Sequence, residues 1–341
     1  MKKRSNILFV ALAVMTVALF VVDLVVGSVA VPLGEVWRAL FGEEGQSEVY
    51  ATIVRNFRLP KAIMALLAGA ALSSVGLQMQ TLFRNPLAGP YVLGVSSGAS
   101  LGVALMLLGL PLLGISGGAS FVQDLGVAGA AWIGAAGVMI IVMAVTARIK
   151  NIMTVLILGM MFGSAASALV EVMQYLSPEG ALKSYVVWTM GSLGGVTLQQ
   201  LNIIVPVVVA GLLLSIWLIK PLNILLLGEN YARTMGLNIK RIRFGVTLTT
   251  VLLAGTITAY CGPIGFIGLA VPHVARMLFR EADHKVLVPA TMLTGAAMML
   301  LCDVASTLPA GDMTLPINTV SALVGIPIVI IVIVRNRKTM M

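Results

Sequence analysis

Arg55, Arg58 and Lys61 fall within one seven-residue stretch, Arg55-Asn56-Phe57-Arg58-Leu59-Pro60-Lys61. Three cations this close together suit charge-assisted hydrogen bonds to carboxylates. Such pairs steer an acidic partner and weaken as salt rises. A second reading has the three anchoring a helix end by reaching toward lipid headgroups. Residues for bond-making chemistry are absent. The chain holds no Gly-Lys pair, so it has no phosphate-binding loop of the type G-x-x-x-x-G-K-[ST]. It has no H-E-x-x-H motif and no nucleophile elbow followed by a credible acid and histidine. Two cysteines, Cys261 and Cys302, and two histidines, His273 and His284, are too few for a cysteine- or histidine-based metal cluster. The sequence therefore argues against an enzyme. If the protein moves a solute uphill, another chain must supply the energy.

The elements that position these cations are membrane helices. Hydrophobic residues make up 59% of the 341-residue chain and charged residues only 10%, where soluble domains carry about 25% charged residues. A span needs roughly 20 apolar residues. Spans are expected at about 6–27, 60–82, 91–110, 125–147, 152–175, 199–219, 241–261, 264–280, 286–305 and 317–334. The first follows Lys2-Lys3-Arg4 and reads as a retained span, because its apolar stretch is long and it lacks a small-x-small cleavage site. The seventh and eighth form one apolar run, broken by the turn signal Cys261-Gly262-Pro263.

Basic termini place both ends in the cytoplasm, which requires an even number of spans. Five basic residues, Arg38, Arg55, Arg58, Lys61 and Lys183, then fall outside, and the other 17 of the 22 fall inside. The net charge of +9 thus reflects loop asymmetry and does not point to nucleic acid. Three of the five exceptions are the opening cluster. Between the first two spans, residues 31–54 form an outer segment with helical spacing around Pro32 to Leu40. It should lie along the interface with Trp37 at headgroup level.

Glycines four apart, Gly98 with Gly102 and Gly159 with Gly163, should let helices approach closely. Pro206, Pro272 and Pro327 should break or kink their spans. Met160, Met161 and Met173 could line an adaptable pathway or simply fill the core. No ladder of acids or histidines crosses the bilayer, as an ion-coupled carrier would need. His273 reads as a structural histidine. The loop at 227–240 can hold a short helix from about Glu229 to Met235. Gly236 would cap it and Glu229 would complement its dipole. Such a helix either docks in a partner's groove or is a plain connector.

A series of motifs resembles the FecCD-type permease subunits of type II ABC importers, which carry ferric siderophores, haem or vitamin B12. It begins with Arg58-Leu59-Pro60-Lys61, Gly69-Ala70-Ala71-Leu72, Gln78-Met79-Gln80 and Arg84-Asn85-Pro86-Leu87-Ala88-Gly89-Pro90. It continues with Leu93-Gly94, Trp188-Thr189-Met190-Gly191, Leu227-Gly228-Glu229, Gly265-Phe266-Ile267-Gly268-Leu269, Pro272-His273 and Leu315-Pro316. The resemblance covers nearly the whole chain.

It implies an all-α, polytopic transmembrane permease of about ten helices, with residues 1–341 as a single domain of type II ABC importer architecture. It implies a homodimer in the inner (plasma) membrane, two cytosolic ABC ATPase subunits and an external substrate-binding protein. ATP and Mg would be bound by the ATPase and no cofactor by this chain. Carried over by position, Arg58, with Arg55 and Lys61, would dock the binding protein. Gly228, Glu229, Ala232, Arg233 and Gly236 would couple to the ATPase, and Arg84-Asn85-Pro86 would form a cytoplasmic turn. One departure stands out. The family often carries a second docking arginine a few residues after Asp303, and this chain has Thr307 there. The competing class is an ion-gradient-driven transporter, in which this chain would act alone.

Overall fold

A computed structural model describes residues 2–27, 29–41, 48–112, 120–146, 149, 151–308 and 314–336. Arg148, Lys150, Arg337 and Lys338, which the topology assigned to loops and tails, lie outside the described residues. So do residues 42–47 of the interfacial segment and residue 147 at the end of the expected fourth span.

Among the described residues every regular element is helical. In chain order they are α1 (Lys2–Val25), α2 (Leu33–Phe41), α3 (Glu48–Thr52), α4 (Leu59–Leu82), α5 (Val95–Ala104), α6 (Leu110–Leu112), α7 (Ser120–Thr146) and α8 (Ile152–Leu176). Then come α9 (Glu179–Thr189), α10 (Leu198–Trp217), α11 (Ile219–Leu226), α12 (Glu229–Thr234), α13 (Ile239–Thr250), α14 (Thr256–Cys261), α15 (Ile267–Phe279), α16 (His284–Thr307) and α17 (Ile317–Asn336).

Among the described residues, eight helical stretches are long and apolar enough to cross a membrane, and Ile267–Phe279 and Ile317–Val332 are shorter apolar helices. Together they match the ten expected positions. The 13 residues of α15 span about 20 Å, short of a hydrocarbon core of roughly 30 Å. It starts late because Gly262 (φ 73) turns the chain after α14. It ends early because Arg280 adopts a left-handed conformation. The sequence reading missed α9 and α11.

The helix of the second span extends upstream of residue 60. One continuous stretch runs from Glu48 to Leu82, passing through a π-helical segment at Ile53–Arg58. The three cations therefore sit on a helix, and the extra residue per turn of π geometry resets which of them face inward. The prolines do not end their helices: Pro206, Pro272 and Pro327 lie inside α10, α15 and α17. Departures from regular α geometry occur at the π segments Leu105–Gly109 and Val251–Gly255 and at Gly126 (φ 60, ψ 171) inside α7.

The chain forms two compact units. The first comprises Met1–Ser74, Ser192–Pro206 and Ile264–Met341, and the second Val75–Gly191 and Val207–Pro263. In the first unit α2 lies amphipathically, as expected. Val36 and Ala39 join a core with Leu24, Val31, Val54 and Ala62, while Trp37 is exposed and stacks on Phe41 at 4.3 Å. α4 and α16 meet backbone to backbone, and a Cβ on Gly69 would collide with the Gly295 carbonyl. Ser73 Oγ donates to Thr291 O across this contact at 3.0 Å.

In the second unit the glycine spacing behaves as the sequence implied. A Cβ on Gly98 would come within 2.6 Å of Gly134 O, and one on Gly102 would collide with Ala130 O, so α5 and α7 touch along their backbones. Gly159 and Gly163 play the same part between α8 and the start of α5, facing Leu93 and Ser97. Lipid is as apolar as leucine, so these contacts draw on van der Waals fit rather than on the hydrophobic effect. Gln78 Nε2 adds a buried hydrogen bond to Ser215 Oγ at 2.7 Å.

Candidate functional site

The cation stretch resolves into three different environments within the first unit. Arg58 is buried, with 8% of its surface exposed. Its Nη1 donates to Leu24 O at 2.8 Å and Val25 O at 2.6 Å, and its Nη2 donates to Val29 O. These acceptors include carbonyls that the end of α1 leaves without helical partners. A guanidinium, with five N–H donors in a fixed fork, is suited to collecting them. The approach needs Gly27, where a Cβ would sit 2.6 Å from Arg58 Nη2.

Lys61 Nζ lies 3.0 Å from Asp303 Oδ1, and that carboxylate is almost wholly buried. Arg55 is exposed, with its Nε donating to Ala39 O, and Phe57 beside it is also exposed. All three nominated cations therefore have a partner within the unit, and of the three only Arg55 is exposed. Asp23 and Asp303 lie far apart in the chain. The structure brings them together, which no spacing rule could reveal across 280 residues.

In the second unit the 227–240 loop forms the short helix that was expected, as α12. Gly228 (φ 112) precedes it and Gly236 (φ 82) follows it. Gly236 N donates to Arg233 O and Leu237 N to Ala232 O, each at 3.0 Å. That pairing is the Schellman closure, which needs a left-handed residue at the position of Gly236. Ala232 is fully buried under the helix.

Glu229 then ties α12 to its surroundings. It accepts from Arg233 at 2.6 Å and from Arg243 at 3.3 Å, and Arg243 Nη1 also donates to Ile149 O at 3.0 Å. One carboxylate thus links α12 to the first turns of α13 and, through Arg243, to the connection between α7 and α8. Sequence reading found Glu229 but not Arg243. A basic residue fourteen positions away on another helix carries no local signal.

Arg84-Asn85-Pro86 closes α4 by a similar device. Arg84 takes the left-handed position (φ 47), and Asn85 N donates to Gln80 O at 3.1 Å. Asn85 Oδ1 then accepts from Leu87 N at 2.9 Å. The Arg84 guanidinium reaches Gly228, where an added Cβ would be 3.7 Å from Nη1. The α4 turn and α12 are therefore neighbours. Beside them lies a cavity of about 980 Å³ with apolar walls such as Phe83, Met139 and Phe244 and with Arg233, Lys240 and Arg243 at its polar side.

The methionines separate. Met160 and Met161 are exposed on α8, on a face that also shows Met153 and Ile157. Met173 is half-buried near Gly109.

Comparisons with known proteins place the fold. The model of the FecCD transport family matches residues 15–335. The vitamin B12 import system permease protein BtuC of Klebsiella pneumoniae is 35% identical, over 98% of this chain and 96% of that protein. The hemin transport system permease protein HmuU of Yersinia pestis is 33% identical, over 83% of each. A solved metal-chelate type ABC transporter in an inward-facing conformation superposes with a TM-score of 0.83 at 29% identity, covering 97% of this chain and 99% of that one. With a family match across almost its full length and relatives above 30% identity, the chain belongs to the FecCD transport family.

Proposed function

We propose that this chain is the transmembrane permease subunit of an ATP-driven importer for a large metal chelate, of the ferric siderophore, haem or cobalamin class. It receives the chelate from an external binding protein, and separate ATPase subunits drive the cycle with ATP and Mg. Two copies form the passage in the plasma membrane, with both termini cytoplasmic. The observation that carries the reading is α12. It is a surface helix set between two positive-φ glycines and tied through Glu229 to α13 and to the α7–α8 connection. A partner that grips α12 and moves it also moves the helices behind Glu229 and Arg243. ATP binding and release then bias the equilibrium between outward and inward states.

The exposed face of α8, with Met160 and Met161, is a candidate for the passage between two copies, where flexible thioethers can adapt to a bulky chelate. In the first unit docking falls chiefly to Arg55, beside the exposed Phe57. Arg58 and Lys61 shape that surface from within.

The test is reconstitution into vesicles with the cognate ATPase and binding protein. Chelate uptake that requires ATP and both partners supports the proposal. Uptake by this chain alone, abolished by an ionophore, overturns it in favour of an ion-coupled transporter.

A further inference from the structure

Asp23 on α1 and Asp303 on α16 are both buried, at 4% and 1% exposure. Their side chains lie within hydrogen-bonding reach of each other. Both belong to the first unit.

Among the described residues the donors around them are few. Lys61 Nζ takes Asp303 Oδ1 at 3.0 Å. Ser306 Oγ lies 3.5 Å from that same oxygen but makes its close bond, at 2.7 Å, to the Asp303 carbonyl. Arg58 attracts Asp23 electrostatically, yet its N–H groups go to Leu24, Val25 and Val29. The Cys302 thiol is the other titratable neighbour. Among the described residues, Oδ2 of Asp23 and Oδ2 of Asp303 each meet no donor.

Two carboxylates cannot hydrogen-bond to each other without a proton between them, because each ionised group only accepts. Like charges forced together in a low-dielectric site keep one group protonated. An intramembrane acid without a donor is also costly. A single proton removes both difficulties. It supplies the missing donor, and it leaves one negative charge for Lys61 to balance.

We infer that Asp23 and Asp303 form a binding site for one proton, which ties α1 to α16 beside the Lys61 ion pair on α4. The site is independent of the transport reading, since it rests on contacts within one unit. Its place is next to the Arg55–Arg58 segment, so the tie holds the helices on which that segment rests.

The experiment is infrared difference spectroscopy of the full-length chain, purified in sodium-free neutral buffer, in light and heavy water. The expected result is a deuterium-sensitive carbonyl band from one protonated carboxylic acid. The band disappears in both Asp23→Asn and Asp303→Asn, where the amide donates in place of the proton. Thermal unfolding of Asp23→Asn should stay near wild type, while Asp23→Ala, which removes the donor as well as the acid, should unfold several degrees lower. A wild-type spectrum without such a band overturns the inference, as does a band that survives both asparagine variants. Unfolding that shifts strongly with added sodium, with no acid band, assigns the site to a metal cation and also overturns it.

Discussion

The carboxylate of Glu229 and the guanidinium of Arg243 stand 3.3 Å apart and join α12 to α13. The pair is partly exposed, at 25% and 18%, so its contribution to stability is small, within the roughly 0–1 kcal/mol of surface ion pairs. In the proposed function the pair transmits motion from α12. Glu229→Ala should leave the unfolding temperature nearly unchanged yet lower ATP-driven uptake at least tenfold in reconstituted vesicles. ATP hydrolysis should persist. Arg243→Ala should give the same uncoupling, and the double variant should be no worse than either single one. Strictly additive losses would show that the two residues act separately.

Gly236 and Gly262 both have positive φ, at 82° and 73°, but for separable reasons. A Cβ at Gly236 meets nothing within 4 Å, so Gly236→Ala carries only the left-handed penalty, about 1 kcal/mol. Gly236→Asn should recover much of it, since asparagine tolerates that region. A Cβ at Gly262 would collide with Trp188 O, and its ψ of 178 belongs to a region reserved for glycine. Gly262→Ala should therefore unfold well below Gly236→Ala in a detergent melt. Equal melting temperatures would contradict this ordering.

Arg55 and Arg58 should part company under mutation. Arg58→Lys loses the fork that gathers three carbonyls and should lower thermal stability by several degrees, with a loss of about 1–3 kcal/mol for the unsatisfied groups. Arg55→Glu should melt like wild type but weaken binding-protein capture at least tenfold, with less dependence on salt than the parent. Capture measured by surface binding at low and high ionic strength separates the two. If Arg58→Lys melts normally and alone loses capture, Arg58 is the docking residue that the family resemblance implied.

Close helix contact gives a packing prediction. Gly102→Val places a branched side chain where even a Cβ meets the Ala130 carbonyl, and overpacking of this kind costs about 1–3 kcal/mol or more. Gly137→Val on α7 is the control, because a Cβ there meets nothing within 4 Å. Only the first should reduce folded yield and melting temperature.

Much was legible in the sequence, for local reasons. Apolar length and loop charge located the ten helical positions, because the bilayer fixes how long a span must be. Gly228, Glu229 and Gly236 announced α12, because caps are written in adjacent residues. The turn at Cys261-Gly262-Pro263 was equally plain. What only the tertiary structure decided was which long-range partner each polar group found. The π turn at Ile53–Arg58 rotates Arg58 inward onto α1 and leaves Arg55 outside. Asp23 meets Asp303, and Glu229 meets Arg243, across helices that no short spacing relates. For the buried Asp23 and Asp303 such a meeting is obligatory, because an unmatched group within the membrane has no water to turn to. Which group supplies the match depends on how the helices pack.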